Sequence, residues 1–125
     1  MMESIISNKV AAAIGPYCHA VKVNNMVYTS GQLPLTADGV LVSEDVQAQT
    51  DQVLKNLQLV LNDCGSDLNQ VVKTTIFIKD MNDFPLINEV YGNFFSEHLP
   101  ARSCVEVSRL PKDVKVEIEV VALVH

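Results

Sequence analysis

Two residues near the end of the chain, Arg102 and Glu117, carry the groups needed to bind a small carboxylic acid and to move a proton on it. A guanidinium can hold a carboxylate through two parallel hydrogen bonds. A glutamate can act as a general base on a water molecule. Simpler interpretations also stay open at this point: Arg102 in a surface ion pair, and Glu117 on the solvated face of a half-buried strand.

Both residues lie in segments that are typical of β-strands, over residues 100–107 and 115–122. β-Branched residues are common in both segments, and apolar and polar residues alternate in the second. The turn-like break at 110–113 predicts that the two strands form an antiparallel hairpin. Because side chains on a strand alternate between faces, Arg102 shares its face with Cys104 and Glu106, and Glu117 shares its face with Glu119. The strand pattern does not choose between the two glutamates.

The rest of the chain supplies the elements around these strands. Strands are expected at 19–23, 26–30 and 71–78, with a further short one at 4–7. Asp45 is the candidate N-cap of a helix whose apolar spacing runs from Val46 to Cys64, and Gly65 suits the position after its end. A second helix follows Asn82 or Asp83, with Pro85 in its first turn, and closes at Leu99–Pro100. Two helices on one face of a mostly antiparallel sheet predict an α+β two-layer domain spanning residues 1–125.

The face of the sheet without helices is expected to be unusually apolar. It would carry Phe77, Val121, Leu123 and either Val27 or Tyr28. Side chains of this kind are poorly suited to open water, so we expect this face to be buried against another subunit.

Composition narrows the class of protein. The net charge of −6 argues against a nucleic-acid surface, which needs clustered lysine and arginine. The three cysteines are an odd number with no CxxC pair, which fits a reducing compartment. No stretch resembles a signal peptide or a membrane helix, so a soluble, cytoplasmic protein is expected. The histidines and cysteines lack metal-ligand spacing, and we expect neither metal nor cofactor.

Five further residues could line a site, and each has an ordinary alternative. Tyr17 follows the Gly15-Pro16 break and could be a packed loop aromatic, while Ser30 and Gly31 could be plain turn residues. Asn88 could be an exposed helix residue. Cys104 has no histidine near it in sequence to act as its base, which favours a small buried residue over a nucleophile. No role is assigned to His19, and His98 is interpreted as a satisfied histidine at a helix end.

A set of short motifs resembles the RidA/YjgF family over essentially the whole chain, in order and without large insertions. The motifs are Ile14-Gly15-Pro16-Tyr17, Thr29-Ser30-Gly31-Gln32, Val72-Lys73-Thr74-Thr75, Asn88-Glu89-Val90-Tyr91, Pro100-Ala101-Arg102-Ser103 and Val116-Glu117-Ile118-Glu119. The resemblance implies a chorismate-mutase-like fold, assembled as a homotrimer with ligand sites in the clefts between subunits.

The same resemblance implies a 2-iminobutanoate/2-iminopropanoate deaminase. Such enzymes hydrolyse reactive enamines and imines, released by pyridoxal-phosphate dehydratases, to 2-oxo acids and ammonia. By family match Arg102 binds the substrate carboxylate, and Glu117 positions a water and returns its proton to the departing ammonia. Tyr17, Ser30, Gly31, Asn88 and Cys104 would contact the substrate, the last through its backbone. Two alternatives stay open: a non-catalytic binder of 2-oxo acids or related metabolites, and an RNA-cleaving translation inhibitor.

Overall fold

Six segments rich in β-branched or alternating residues form one sheet, and two segments with helical periodicity pack against it. The computed structural model describes residues 1–125 and shows α1 (Val46–Asp63), α2 (Phe84–Phe94) and strands β1 (Met2–Ile5), β2 (Ala20–Val23), β3 (Met26–Thr29), β4 (Val71–Ile78), β5 (Ala101–Glu106) and β6 (Val116–Leu123). The α+β class and the order of the elements are as predicted. Neither helix combines the length and the apolar character that crossing a bilayer requires.

Helix α1 begins and ends where its sequence predicts. The Asp45 carboxylate accepts a hydrogen bond from the Ala48 N–H at 2.8 Å, which satisfies one of the free donors of the first turn. Gly65 lies just past the helix with φ of +76°, a conformation that costs glycine little. The apolar stripe of the helix is wholly buried in the core: Val46, Val53, Leu54, Leu57, Val60, Leu61 and the adjoining Cys64.

The pairing of the last two strands differs from the prediction. The sheet order is β1-β2-β3-β6-β4-β5, so the expected β5–β6 hairpin is wrong and β4 lies between the two strands. β5 runs parallel to β4 after the crossover through α2, and β6 runs antiparallel to β4. The turn-like residues Pro111–Asp113 form a single 3₁₀ turn instead of a hairpin turn. Because β4 is rich in β-branched residues, it is well suited to a central position with a partner on each edge.

The register sorts the side chains of the sheet onto two faces. Thr74, Ile76 and Ile78 of β4 are buried on the helix side, as are the residues of β6 that pair with them: Val120, Ile118 and Val116. The intervening residues of β4 lie on the opposite, open face, where they pair with Val121, Glu119 and Glu117 of β6. The alternation predicted for β6 is thus confirmed.

The open face of the sheet carries the expected apolar side chains, together with the two glutamates of β6 and polar residues of β4. The structure places Tyr28 there rather than Val27, since Tyr28 is 47% exposed whereas Val27 is fully buried. Tyr28 pairs with Val121, and Leu123 pairs with Met26 beside them. Burial of this face against another subunit stays a prediction.

Helix α2 is shorter than predicted. It ends at Phe94, because Phe95 leaves helical geometry and turns into the core, where it stacks against Tyr91 at a centroid distance of 4.7 Å. His98 therefore lies beyond the helix, where its Nε2 is 2.6 Å from the carbonyl of Val71. At the other end Asp83 occupies the N-cap position without making a side-chain cap hydrogen bond.

Candidate active site

A cavity of about 540 Å³ opens beside an interruption in the β3–β6 pairing. Regular pairing stops at Tyr28 and Val121 and resumes at an isolated bridge between Gln32 and Ile118. One residue more is present on the β3 side of this interval, so the backbone bulges there. Four residues that the sequence singled out line the cavity: Tyr17, Ser30, Gly31 and Glu117.

Glu117 is the one acidic side chain in the wall of this cavity. It lies on the open face of β6 and is partly buried. Burial first, and the charge of Glu119 second, raise the pKa of the Glu117 carboxyl above its ordinary value. A carboxylate with a raised pKa is a better proton acceptor near neutral pH. Glu119 is exposed and does not line the cavity, so the structure separates two residues that the strand pattern could not.

The backbone at Gly31 leaves room for the Glu117 carboxylate. A Cβ at this position would lie 2.7 Å from the carboxyl carbon of Glu117 and 2.9 Å from its Cγ, distances that real Cβ atoms do not show. A larger residue at this position would therefore displace the Glu117 carboxylate from where it lies.

Ser30 and Tyr17 form the rim of the cavity on the side of the loop before β2. The Ser30 hydroxyl donates to the carbonyl of Cys18 at 2.7 Å, and the Ser30 N–H donates to the carbonyl of His19. Tyr17 follows Gly15, whose φ is +132°, and its ring is 50% exposed. Its hydroxyl accepts a long contact of 3.4 Å from the Ile14 N–H, so the phenol is only weakly held.

Arg102 occupies a different place, at the junction of β5 and α2. Its Nη1 donates to Oδ1 of Asn88 at 2.6 Å. The guanidinium carbon lies 5.2 Å from the ring centroid of Phe84 and 4.9 Å from that of Tyr91. Arg102 makes no ion pair within the chain, whereas Arg109, the other arginine, is paired with Asp113 through two hydrogen bonds. The guanidinium of Arg102 thus retains most of its N–H donors for another acceptor.

The two candidate catalytic residues do not meet within one chain. Arg102 pairs in register with Thr74, a buried residue of the helix-covered face. Glu117 pairs with Phe77, which lies on the open face. Asn88 accompanies Arg102, whereas Tyr17, Ser30 and Gly31 accompany Glu117. The predicted site residues therefore form two separate half-sites on opposite faces of the sheet.

The contacts of Cys104 and His19 indicate structural roles for both residues. Cys104 shares the face of Arg102, as predicted, and packs against the core. Burial raises the pKa of its thiol, which disfavours a thiolate. His19 is buried, with Nδ1 accepting from the Ser7 N–H and Nε2 3.0 Å from the Ala11 carbonyl. Both ring nitrogens are engaged, and the histidine tethers the N-terminal segment to β2.

Several residues of the half-sites were missed by sequence reasoning. Phe84 was not singled out, and Tyr91 was assigned only to the apolar stripe of α2, yet both contact Arg102. The spacing 84, 88 and 91 places them with Asn88 on one helix face, which is a signal that the sequence does contain. The cavity also has walls that no motif indicated: Ala11, Ala12, Ile14, His19, Gln32, Leu33, Leu35, Asn56, Pro111 and Lys112.

Comparison with known proteins places this geometry in a family. The family model described as Endoribonuclease L-PSP matches residues 7–124. A protein from Salmonella typhimurium named 2-iminobutanoate/2-iminopropanoate deaminase is 48% identical, with 98% of each chain covered. The crystal structure of the YjgF gene product from E. coli is 47% identical, with a TM-score of 0.92 over 97% of this chain and 98% of that one.

A solved structure with a bound small molecule is also similar. E. coli TdcF with bound serine is 44% identical, has a TM-score of 0.92, and is matched over 98% of this chain and 99% of its own. A family model that covers nearly all of the chain, relatives matched over nearly their full length and the same fold agree with one another. The chain belongs to the RidA/YjgF family.

Proposed function

We propose that this protein is a deaminase that hydrolyses 2-imino acids, such as 2-iminobutanoate and 2-iminopropanoate, to 2-oxo acids and ammonia. The observation that carries the proposal is the chemistry of the two half-sites: Arg102, held without an ion pair, suits a carboxylate, and Glu117, with its raised pKa, suits a base. The name of the Salmonella relative and the serine bound to TdcF, an amino acid with a carboxylate, support it.

The active site, in this proposal, is completed by a second copy of the chain. The half-sites lie on opposite faces of one sheet, so Arg102 of one subunit would meet Glu117 of its neighbour. The apolar open face around Tyr28 and Val121 provides the surface that association would bury. Family resemblance implies a homotrimer, and closed cyclic symmetry gives each subunit the same two neighbours and each cleft the same residues.

Hydrolysis would proceed by addition of water to the C=N carbon. Arg102 would bind the substrate carboxylate through two hydrogen bonds and so fix the position of that carbon. Glu117 would take a proton from water as its oxygen bonds to carbon, giving a carbinolamine. Glu117 then gives that proton to the carbinolamine nitrogen and the C–N bond breaks to release ammonia. The carbinolamine hydroxyl loses its proton to the ammonia as the carbonyl forms, so a protonated imine and water give a 2-oxo acid and ammonium. One water enters and one ammonia leaves, with no change in oxidation state.

The substrate must come from a reaction that releases an enamine or imine into solution. Pyridoxal-phosphate dehydratases that act on hydroxyamino acids release such species, because loss of water from the amino acid leaves an enamine that tautomerises to the imine. A functional link to enzymes of this class is part of the proposal. A protonated imine is already electrophilic, so one positioned base, which typically contributes about 10²–10⁴-fold, is a sufficient catalyst.

Two other functions fit parts of the structure. A non-catalytic binder of 2-oxo acids would use Arg102 but would not need a base of raised pKa. An RNA-cleaving activity is the one that the family description names, but RNA binding is opposed by the net charge of −6 and by the Glu117 carboxylate in the cavity.

The decisive test is clearance of imine in a coupled reaction. A dehydratase generates 2-aminoacrylate or its four-carbon homologue, and the appearance of the 2-oxo acid is followed with wild type, Arg102→Ala and Glu117→Gln. The proposal predicts acceleration by wild type and loss of about 10²–10⁴-fold in the glutamine variant. Glu119→Gln, the matched control two residues away on the same face, keeps activity at neutral pH. A folded wild type without acceleration, or full turnover in Glu117→Gln, contradicts the proposal.

A further inference from the structure

The surroundings of Arg102 differ from those of an ordinary surface arginine. Three side chains of α2 hold its guanidinium: Asn88 by a hydrogen bond, and Phe84 and Tyr91 by their ring faces. The rings take no N–H of the guanidinium, in contrast to Asp113, which binds two nitrogens of Arg109. A stacked guanidinium therefore has a fixed orientation while its donor edge remains free.

The Tyr91 ring is itself fixed. Tyr91 is 7% exposed, and its hydroxyl shares a hydrogen bond of 2.9 Å with Oγ1 of Thr74 in β4. The Tyr91 ring also packs against the ring of Phe95. Thr74 is also the register partner of Arg102, so the tyrosine is anchored to the sheet at the same level as the arginine that it supports.

From this geometry we infer that Phe84 and Tyr91 are positioning residues, which hold the Arg102 guanidinium so that it can donate two parallel hydrogen bonds to a carboxylate. The inference rests on the proposed function for its consequence in catalysis. Removal of a ring face frees the arginine side chain, which must then be ordered when the ligand binds. We expect this ordering to weaken binding of the carboxylate. Substrate and transition state both carry that carboxylate, so KM rises while kcat changes little.

The test compares substitutions that keep apolar volume but remove the ring. Tyr91→Leu and Phe84→Leu are each expected to raise KM for the imino acid, and Kd for 2-oxobutanoate, by about 5- to 30-fold. Tyr91→Phe keeps the ring face but loses the hydroxyl bond to Thr74, so both constants are expected to rise less than in Tyr91→Leu. Phe94→Leu removes a ring of the same helix that packs on the core without contacting Arg102, and it leaves both constants unchanged.

A spectroscopic readout tests the inference independently of turnover. Arg102 and Arg109 are the two arginines of the chain, and the ring faces are expected to shift the Nε–H proton resonance of Arg102 upfield of the position it has in an unstructured peptide. Both leucine variants should abolish the shift, and Tyr91→Phe should keep it. If Tyr91→Leu does not fold, the Phe84→Leu protein alone tests whether the rings position Arg102.

Failure of the proposed function and failure of the positioning role give different results. A wild type without imine hydrolysis but with the shifted resonance removes the proposed function and leaves the positioning role intact. Folded leucine variants with the wild-type resonance and an unchanged Kd for 2-oxobutanoate overturn the positioning role, whatever the turnover.

Discussion

At the scale of a single residue, the proposed mechanism depends on the effect of burial on the Glu117 carboxyl. Its pKa is raised by burial and by the charge of Glu119, and its proposed role as a base needs the ionised form. Activity should therefore be present above the raised pKa of Glu117 and be lost as pH falls through it. The acid limb is thus expected at a higher pH than the ordinary glutamate value of about 4.3 would give.

The neighbouring glutamate offers a way to check this assignment. Glu119→Gln removes a negative charge that disfavours ionisation of Glu117, so the acid limb of the kcat/KM profile should move to lower pH while the plateau is kept. The profile is measured on both proteins with the coupled imine reaction. An acid limb at the same pH in the two proteins would assign it to another group.

Gly31 makes a second residue-scale prediction. Gly31→Ala would place a methyl group against the Glu117 carboxylate, so the carboxylate must move, and we expect turnover to fall at least 10-fold while the protein stays folded. Gly92→Ala is the matched control, because a Cβ at Gly92 would meet nothing within 4 Å. That change is expected to stabilise α2 by up to about 1 kcal/mol without affecting turnover. Equal activity of the two variants would contradict the role of Gly31.

Some residues of the half-sites could be predicted from the sequence and others could not. Strand alternation placed Arg102 with Cys104 correctly, since a period of two is a local property. It could not choose Glu117 over Glu119, because both lie on the same face and the difference arises from the bulge at Thr29–Gly31. The aromatic contacts of Arg102 required knowledge that β5 lies beside α2, which is a tertiary fact.

At the scale of elements, α1 depends on a cap that the sequence already identifies. Asp45→Ala removes the hydrogen bond to the Ala48 N–H and should lower the free energy of unfolding by about 1 kcal/mol. Denaturant titration measures the loss. Glu44→Ala, a change of the same charge at the preceding exposed residue, should cost much less, and an equal loss in the two variants would mean that the cap does not stabilise the helix.

Strand pairing was the part of the fold that local patterns failed to predict. The bounds of β4, those of β6 to within one residue, and the position of α1 followed from periodicity, caps and Gly65. The prediction of a β5–β6 hairpin was wrong, because a turn-like sequence such as Pro111–Asp113 can also connect two strands that are not neighbours in the sheet. The strand order bears on the proposed function, because β4 lies between the strand that carries Arg102 and the strand that carries Glu117.

At the scale of the whole molecule, the open sheet face is expected to be an interface between copies of the chain. Val121 lies beside Tyr28 on one strand and Lys73 on another, so Val121→Lys would add a second ammonium next to Lys73 and would replace an apolar contact of the expected interface by a charge. We expect light scattering to show a shift from trimer to monomer, with the circular dichroism spectrum kept and turnover lost. Asn62→Lys on the exposed side of α1 should leave the trimer intact. A Val121→Lys protein that remains trimeric and active would place the interface elsewhere.

The most direct test of the account is complementation between two inactive variants, because the central claim is a site shared by Arg102 of one subunit and Glu117 of the next. Arg102→Ala and Glu117→Gln proteins are unfolded together in equal amounts and refolded as mixed trimers. About a quarter of the clefts then contain both intact residues, so the mixture should recover about a quarter of wild-type turnover while each variant alone stays inactive. A mixture that forms hybrid trimers and recovers nothing would contradict the shared site.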